Sequence, residues 1–216
     1  MGEGAILENA NWGHYPADAQ ELLLLRNRHA AIPAVDATSL LPYGRGRSYG
    51  DSCLNTGGLL LGAQALDRFI SFDDETGVLA CEAGVTFAEI IELALPRGWF
   101  LPVTPGTKFV TVGGAIANDV HGKNHHHAGT FGAHVLSFEL VTSDGQRRLC
   151  SPAENADLFA ATIGGLGLTG LITFATVQLK HAPTAFLSGR SVKFGHLDEF
   201  FSLSADALED HEYTVS

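Results

Sequence analysis

Three glycine-rich stretches and one histidine-rich stretch carry the chemistry of this sequence. The first is Gly44-Arg45-Gly46-Arg47-Ser48-Tyr49-Gly50-Asp51. Glycines spaced this way let the backbone turn sharply and aim successive N–H groups at one point, an anion nest. The two arginines add fork-shaped donors that suit phosphate, although the same letters also fit a plain surface turn. The second is Pro105-Gly106-Thr107 followed by Thr111-Val112-Gly113-Gly114-Ala115-Ile116-Ala117-Asn118. A Gly-Gly pair opening a run of small residues reads as a loop feeding a helix N-terminus, whose unpaired donors suit a pyrophosphate. Close helix packing would use the same small residues.

The third stretch, Gly165-Leu166-Gly167-Leu168-Thr169-Gly170, matches G-x-G-x-x-G letter for letter. A dinucleotide fingerprint needs a strand before it and a helix after it. Here the pattern predicts the reverse order, so a close-packing turn that touches a cofactor with its backbone fits better. Between the second and third lies His121-Gly122-Lys123-Asn124-His125-His126-His127. Adjacent histidines point in different directions, and no ligand partner repeats at metal spacing. His121 is the candidate for a group facing a pocket, with a satisfied structural histidine as the other reading. The sequence contains no H-E-x-x-H and no P-loop.

The elements that would position these loops can be read from pattern. A helix is predicted over Ala17–His29, then short strands at Ile32–Val35 and Leu59–Leu61. A turn at Asp73–Gly77 precedes a strand at Val78–Glu82. Thr86 with Glu89 forms a capping box for a helix reaching Leu95, ended by Pro96 and Gly98. Val135–Thr142 and Gln146–Cys150 flank Asp144-Gly145, a hairpin signal. Ser151-Pro152-Ala153-Glu154 predicts a helix start running to about Ile163, and Leu171–Lys180 alternates as a paired strand. A strand from Arg190, a helix through Leu208 and a last strand beginning at Tyr213 complete the expectation.

Composition bounds the classes. The 216 residues are 45% hydrophobic and 17% charged, enough to bury a core. Lys plus Arg number 13 against 24 Asp plus Glu, a net charge of −11 that argues against a nucleic-acid partner. Cys53, Cys81 and Cys150 share no paired spacing and read as reduced thiols. No basic leader with an apolar run opens the chain and no 18 apolar residues follow one another, so the expected location is cytoplasmic, with no transmembrane segment.

The strings GRGRSYGD at Gly44–Asp51, PGT with TVGGAIA at Pro105–Ala117, and HGKNHH at His121–His126 resemble the vanillyl-alcohol-oxidase-type flavoproteins. Their FAD domain is also called the para-cresol-methylhydroxylase (PCMH) type. Within that group the chain is most similar to the oxidase subunits of decaprenylphosphoryl-ribose epimerases. The resemblance implies an α+β fold: a two-subdomain FAD-binding PCMH-type domain followed by the start of a substrate (cap) domain. The expected division is 1–104, 105–185 and 186–216.

The resemblance also implies roles by position. Gly44, Arg45, Gly46, Arg47, Ser48, Tyr49, Gly50, Asp51 and Ser52 would wrap the pyrophosphate and ribityl chain of FAD. Pro105, Gly106, Thr107, Thr111, Val112, Gly113, Gly114, Asn118, His121 and Gly122 would line the flavin side, with Ile172 toward the adenine end and Gly170 also at the cofactor. His121 and Lys123 are the candidate catalytic pair. Some relatives in this group carry a histidine that bonds covalently to flavin where this chain has Arg47, so the expected FAD is non-covalent.

The implied activity is oxidation of a secondary alcohol of a sugar, or of a lipid-linked sugar such as a polyprenyl-phosphoryl ribose, to a ketone. A lipid-linked substrate implies a membrane nearby. An alditol or aldonolactone oxidase relative is a second reading, against which Arg47 speaks. A third is a non-catalytic flavin module whose open edge at Tyr213–Ser216 docks a partner subunit supplying the substrate domain. Whether the chain is a fragment or a natural short protein stays open.

Overall fold

A computed structural model describes residues 4–32 and 39–216. Two sheets organise it. The first contains β1 (Ala5–Leu7), β2 (Gln20–Leu24), β3 (Leu40–Tyr43) and β4 (Leu59–Gly62), in the order β1-β2-β4-β3. β2 and β3 both run parallel to β4, whose residues Leu59, Leu60, Leu61 and Gly62 are all buried. Parallel strands covered on both faces read as unbroken apolar runs, and Leu22–Leu25 is such a run.

That run corrects the helix expected over Ala17–His29. Its leucines are too few to stabilise an isolated helix, and pairing with β1 and β4 satisfies the backbone instead. Most of the strand expected at Ile32–Val35 lies outside the described residues.

The second sheet contains β5 (Phe69–Asp73), β6 (Val78–Glu82), β8 (Val135–Val141), β9 (Arg147–Cys150) and β10 (Leu171–Gln178), in the order β5-β6-β10-β8-β9 and antiparallel throughout. Between β6 and β8 the chain forms α1 (Phe87–Ala94), β7 (Trp99–Phe100), α2 (Val112–Ala117) and α3 (His125–Ala128). After β9 come α4 (Ala156–Thr162), then β11 (Lys180–His181) paired with β7, and α5 (Leu197–Asp210). Residues 69–82, grouped above with the first unit, supply β5 and β6 of this second sheet.

The capping box forms as its letters require: Thr86 Oγ1 accepts from the Glu89 N–H, and Glu89 Oε2 accepts from the Thr86 N–H at 2.7 Å. Val85, Phe87, Ile90, Leu101, Ile116, Phe131 and Phe138 are fully buried beneath the second sheet's helices. Segment 83–85 ties the layers together. The Ala83 N–H donates to Thr173 O in β10 at 3.0 Å, and the Gly84 N–H donates to Leu66 O at 2.8 Å.

Both turns read from Asp-Gly chemistry are present. Asp73 accepts from the Glu75 and Thr76 N–H groups, and Asp144 from the Gln146 N–H. Hydrogen bonds, first from Thr76 and Thr142 respectively, hold both carboxyls below the ordinary value of 3.8. A carboxyl depressed in the fold stabilises above its unfolded pKa, and that help is lost as pH falls through the folded one. Acid titration by circular dichroism is therefore expected to show stability flat above about pH 5 and falling below pH 4. Asp73→Asn with Asp144→Asn should flatten the fall.

Three further expectations are corrected. The helix predicted from Ser151 starts at Ala156, because Ser151 Oγ is spent on a local turn with the Ala153 and Glu154 N–H groups and Asn155 adopts φ 49°. Residues 190–195 form no strand, and neither do Tyr213–Ser216. Among the described residues neither stretch has a neighbouring strand to pair with, and the Thr214 N–H donates instead to Lys123 O. The open sheet edge imagined for a partner subunit is absent at that place.

Candidate functional site

The loop after β3 supplies the nest. Gly46 and Gly50 both sit at φ +60°. A Cβ on Gly46 would stand 2.0 Å from Ala10 O and 2.3 Å from Tyr43 Oη, so the loop presses directly on the segment before it. That segment is a buttress: Tyr43 Oη donates to Ala10 O at 2.6 Å, Asn11 Nδ2 donates to Gly50 O at 2.7 Å, and the Trp12 N–H donates to Ser48 O at 3.3 Å. Burial pushes the Tyr43 hydroxyl up to about 12, so it stays protonated as a donor. Among the described residues no acceptor takes the backbone N–H groups of Arg45, Gly46, Arg47, Ser48 or Tyr49.

The loop lies against α2. A Cβ on Gly44 would meet Thr111 Oγ1 at 2.6 Å, and Ser48 Oγ donates to Asn118 Oδ1 at 3.3 Å at the far end of the helix. Thr111 caps α2 as the sequence suggests, yet the helix N-terminus is not a free donor set. Its Val112 N–H goes to Val85 O at 2.9 Å, its Gly113 N–H to Ala83 O at 2.8 Å, and its Gly114 N–H to Thr111 Oγ1 at 3.2 Å. The small residues serve close packing, with Gly113 seated against Ala83. The expectation that this end offers unpaired donors to a pyrophosphate is therefore corrected; the unpaired amides lie in the loop at 45–49 instead.

These parts enclose a cleft of about 1400 Å³. That exceeds the roughly 300–1000 Å³ of ordinary small-molecule sites and suits an extended dinucleotide. The cleft gathers most of the sequence-predicted residues. Gly44, Arg45, Gly46, Arg47, Ser48, Tyr49 and Ser52 line one wall, and Pro105, Gly106, Thr107, Thr111, Gly113, Gly114 and Asn118 another. His121, Gly122 and Lys123 stand at one end, and Gly170 and Ile172 contribute backbone and an apolar surface. The turn Gly165–Gly170 follows α4 and precedes β10, and its Gly167 also lines the cleft.

Three predicted residues fall outside the lining. Val112 is fully buried in the core, while Gly50 and Asp51 are exposed and serve to close the loop, their carbonyls accepting from Asn11 and Leu54. Others were missed. Trp12 lines the cleft with the Arg47 guanidinium 5.4 Å over its ring, and neither spacing nor periodicity marks it. Thr104 backs the His121–Lys123 turn: a Cβ on Gly122 would lie 2.7 Å from its carbonyl. Cys53 also lines the cleft, its thiol pushed up by burial, whereas Cys81 and Cys150 are buried elsewhere, and all three are free.

His121 bridges Thr130 through its backbone, with its ring edge-on to His125 at 6.1 Å. The chain after β11 returns across this end. Lys180 Nζ binds Glu212 and donates to Tyr213 Oη at 2.7 Å, and the Thr214 N–H donates to Lys123 O at 3.1 Å. Phe200, Leu203 and Ala207 of α5 thereby face the cleft.

A loop of unpaired amides flanked by arginines, a cleft sized for a dinucleotide and backbone glycines along its walls define a class of protein. The chain belongs to the FAD binding domain family, whose pattern matches residues 33–151, more than half of it. Its cofactor is FAD. It is 41% identical over 212 residues to the decaprenylphosphoryl-beta-D-ribose oxidase of Mycolicibacterium smegmatis, covering 95% of this chain and 46% of that protein. It is 29% identical over 193 residues to cytokinin dehydrogenase 8 of Oryza sativa, covering 83% of this chain and 36% of that protein. Identity to the human Delta(24)-sterol reductase is 31% over 136 residues, 59% of this chain and 26% of that enzyme. The chain thus spans less than half the length of these relatives.

Proposed function

We propose that the chain holds FAD non-covalently and forms the cofactor-binding part of an oxidoreductase acting on a secondary alcohol of a sugar, with a polyprenyl-phosphoryl ribose as the favoured substrate. The observation that supports this most is the nest at 45–49, whose donors and two arginines match a pyrophosphate, beside 41% identity to the ribose oxidase relative over 95% of the chain. When bound, FAD supplies a two-electron acceptor that takes a hydride from the alcohol carbon at N5. In this reading Arg45 and Arg47 neutralise the pyrophosphate, Asn118 and Gly106 border the flavin, and Ile172 packs toward the adenine. His121 and Lys123 orient the alcohol oxygen through a ring nitrogen and the Nζ ammonium. Residues 186–216 open the substrate domain, and groups outside the chain complete the site.

The test is a visible absorption spectrum of the purified chain, repeated on the supernatant after acid precipitation. A flavin spectrum that moves wholly into the supernatant supports the reading. Colour kept in the pellet would contradict the non-covalent link, and failure to take up added FAD would contradict the proposal itself. Arg47→Ala is expected to weaken FAD binding about tenfold, the worth of one charge-assisted contact. The loss should shrink in 0.5 M salt. A loss independent of salt would mean that Arg47 acts through its stack on Trp12 instead.

A further inference from the structure

A second groove, of about 660 Å³, shares no residue with the cleft. Arg26 and Arg28 stand on one side, Arg68, Phe69 and Ile70 on the other, and Glu82 forms the floor. Glu82 is 5% exposed and holds both walls in place. Its Oε1 lies 3.6 Å from Arg28 Nε, and its Oε2 accepts from the Arg68 N–H at 3.1 Å. The Arg28 guanidinium is fixed further by lying 5.1 Å over the Phe174 ring. One carboxylate therefore balances one of three guanidinium groups. Among the described residues Arg26 and the Arg68 guanidinium have no ion-pair partner. Such a surplus of cations is unusual in a chain of net charge −11.

The apolar side of the groove has its own cause. The β5–β6 register shifts between Phe69 and Ser71, and this bulge leaves two consecutive large apolar residues exposed, 39% at Phe69 and 43% at Ile70. Arginines beside protruding apolar side chains are the composition that binds a bilayer interface, with guanidinium groups on lipid phosphates and apolar groups in the headgroup zone. A small soluble phosphate would engage the arginines and leave Phe69 and Ile70 in water. We propose that this groove docks the protein on an anionic lipid surface. At about 0.1 M salt the Debye length is ~10 Å, so remote carboxylates are screened while the arginines in contact are not.

The test is co-sedimentation of the full chain with phosphatidylglycerol–phosphatidylcholine vesicles and with pure phosphatidylcholine vesicles in 0.1 M salt. Partition onto the anionic vesicles is expected to exceed that onto neutral ones by at least tenfold and to fall in 0.5 M salt. Each arginine contributes about fivefold, so Arg26→Glu with Arg68→Glu should lower partition by more than tenfold. Phe69→Ser with Ile70→Ser should remove what binding survives at high salt. Among the described residues neither arginine side chain has an ion partner, so the double variant should keep its thermal midpoint and flavin uptake. Equal partition onto both vesicles, no partition, or variants that bind like the parent would overturn the proposal. Calorimetric binding of inorganic pyrophosphate, lost in the arginine variant and unaccompanied by vesicle binding, would overturn it in favour of a soluble phosphorylated ligand.

Discussion

Gly46→Ala is expected to lower FAD affinity at least a hundredfold, about 2.7 kcal/mol, in a fluorescence-quenching titration. Two costs combine. The position lies at φ +60°, which costs a side-chain-bearing residue about 1–2 kcal/mol. The added methyl would also stand 2.0 Å from Ala10 O and 2.3 Å from the Tyr43 hydroxyl, neither a flexible side-chain end. The loop must move outward, and the amides at 45–49 then no longer converge. Gly50→Ala is the control, because it shares φ +60° but meets nothing within 4 Å. It should cost only the conformational part, about five- to thirtyfold. Native affinity in Gly46→Ala would show that the nest does not hold the cofactor. Equal losses in both variants would show that the contact with Ala10 is irrelevant.

Phe131→Ala should have the largest effect on stability. The ring is fully buried and packs against Phe87 at a centroid distance of 4.9 Å. Truncating such a residue costs about 3–5 kcal/mol, an expected fall of about 10 °C in the thermal midpoint. The consequence extends beyond the core. The Phe131 N–H donates to Val120 O at 2.8 Å, and the neighbouring Thr130 bridges His121. A collapse around the cavity would therefore displace the turn bearing His121 and Lys123. Flavin fluorescence of the folded variant at low temperature should report a changed environment even where FAD still binds. A midpoint within 2 °C of the parent would mean that Phe131 is not part of a tightly packed core.

Much of the site was legible because its chemistry is local. Turn glycines, the Thr86–Glu89 capping box and the Asp-Gly hairpin each depend on residues within a few positions, and each forms where its letters stand. The cleft residues were legible from three strings in one order, although spacing alone could not decide between nest and turn. What failed depended on distant partners. Leu22–Leu25 became a strand because Leu59–Gly62 lies alongside, and nothing within the run announces that neighbour. The α2 N–H groups looked free because their acceptors, Ala83 and Val85, come from a strand end about 30 residues earlier. Trp12 joins the site only through the fold of the Gly44–Gly50 loop, so no pattern around it carries a signal.

The crossing at Ala83–Val85 has a consequence for how such a molecule can be taken apart. This short segment gives hydrogen bonds to β10 and to the loop after β4, and it receives those of the first turn of α2. The two sheets and the helix beneath the cofactor loop therefore share one set of bonds, and neither sheet is a separable module. Recombination that exchanged one layer between homologues would have to carry the partners of this segment in both.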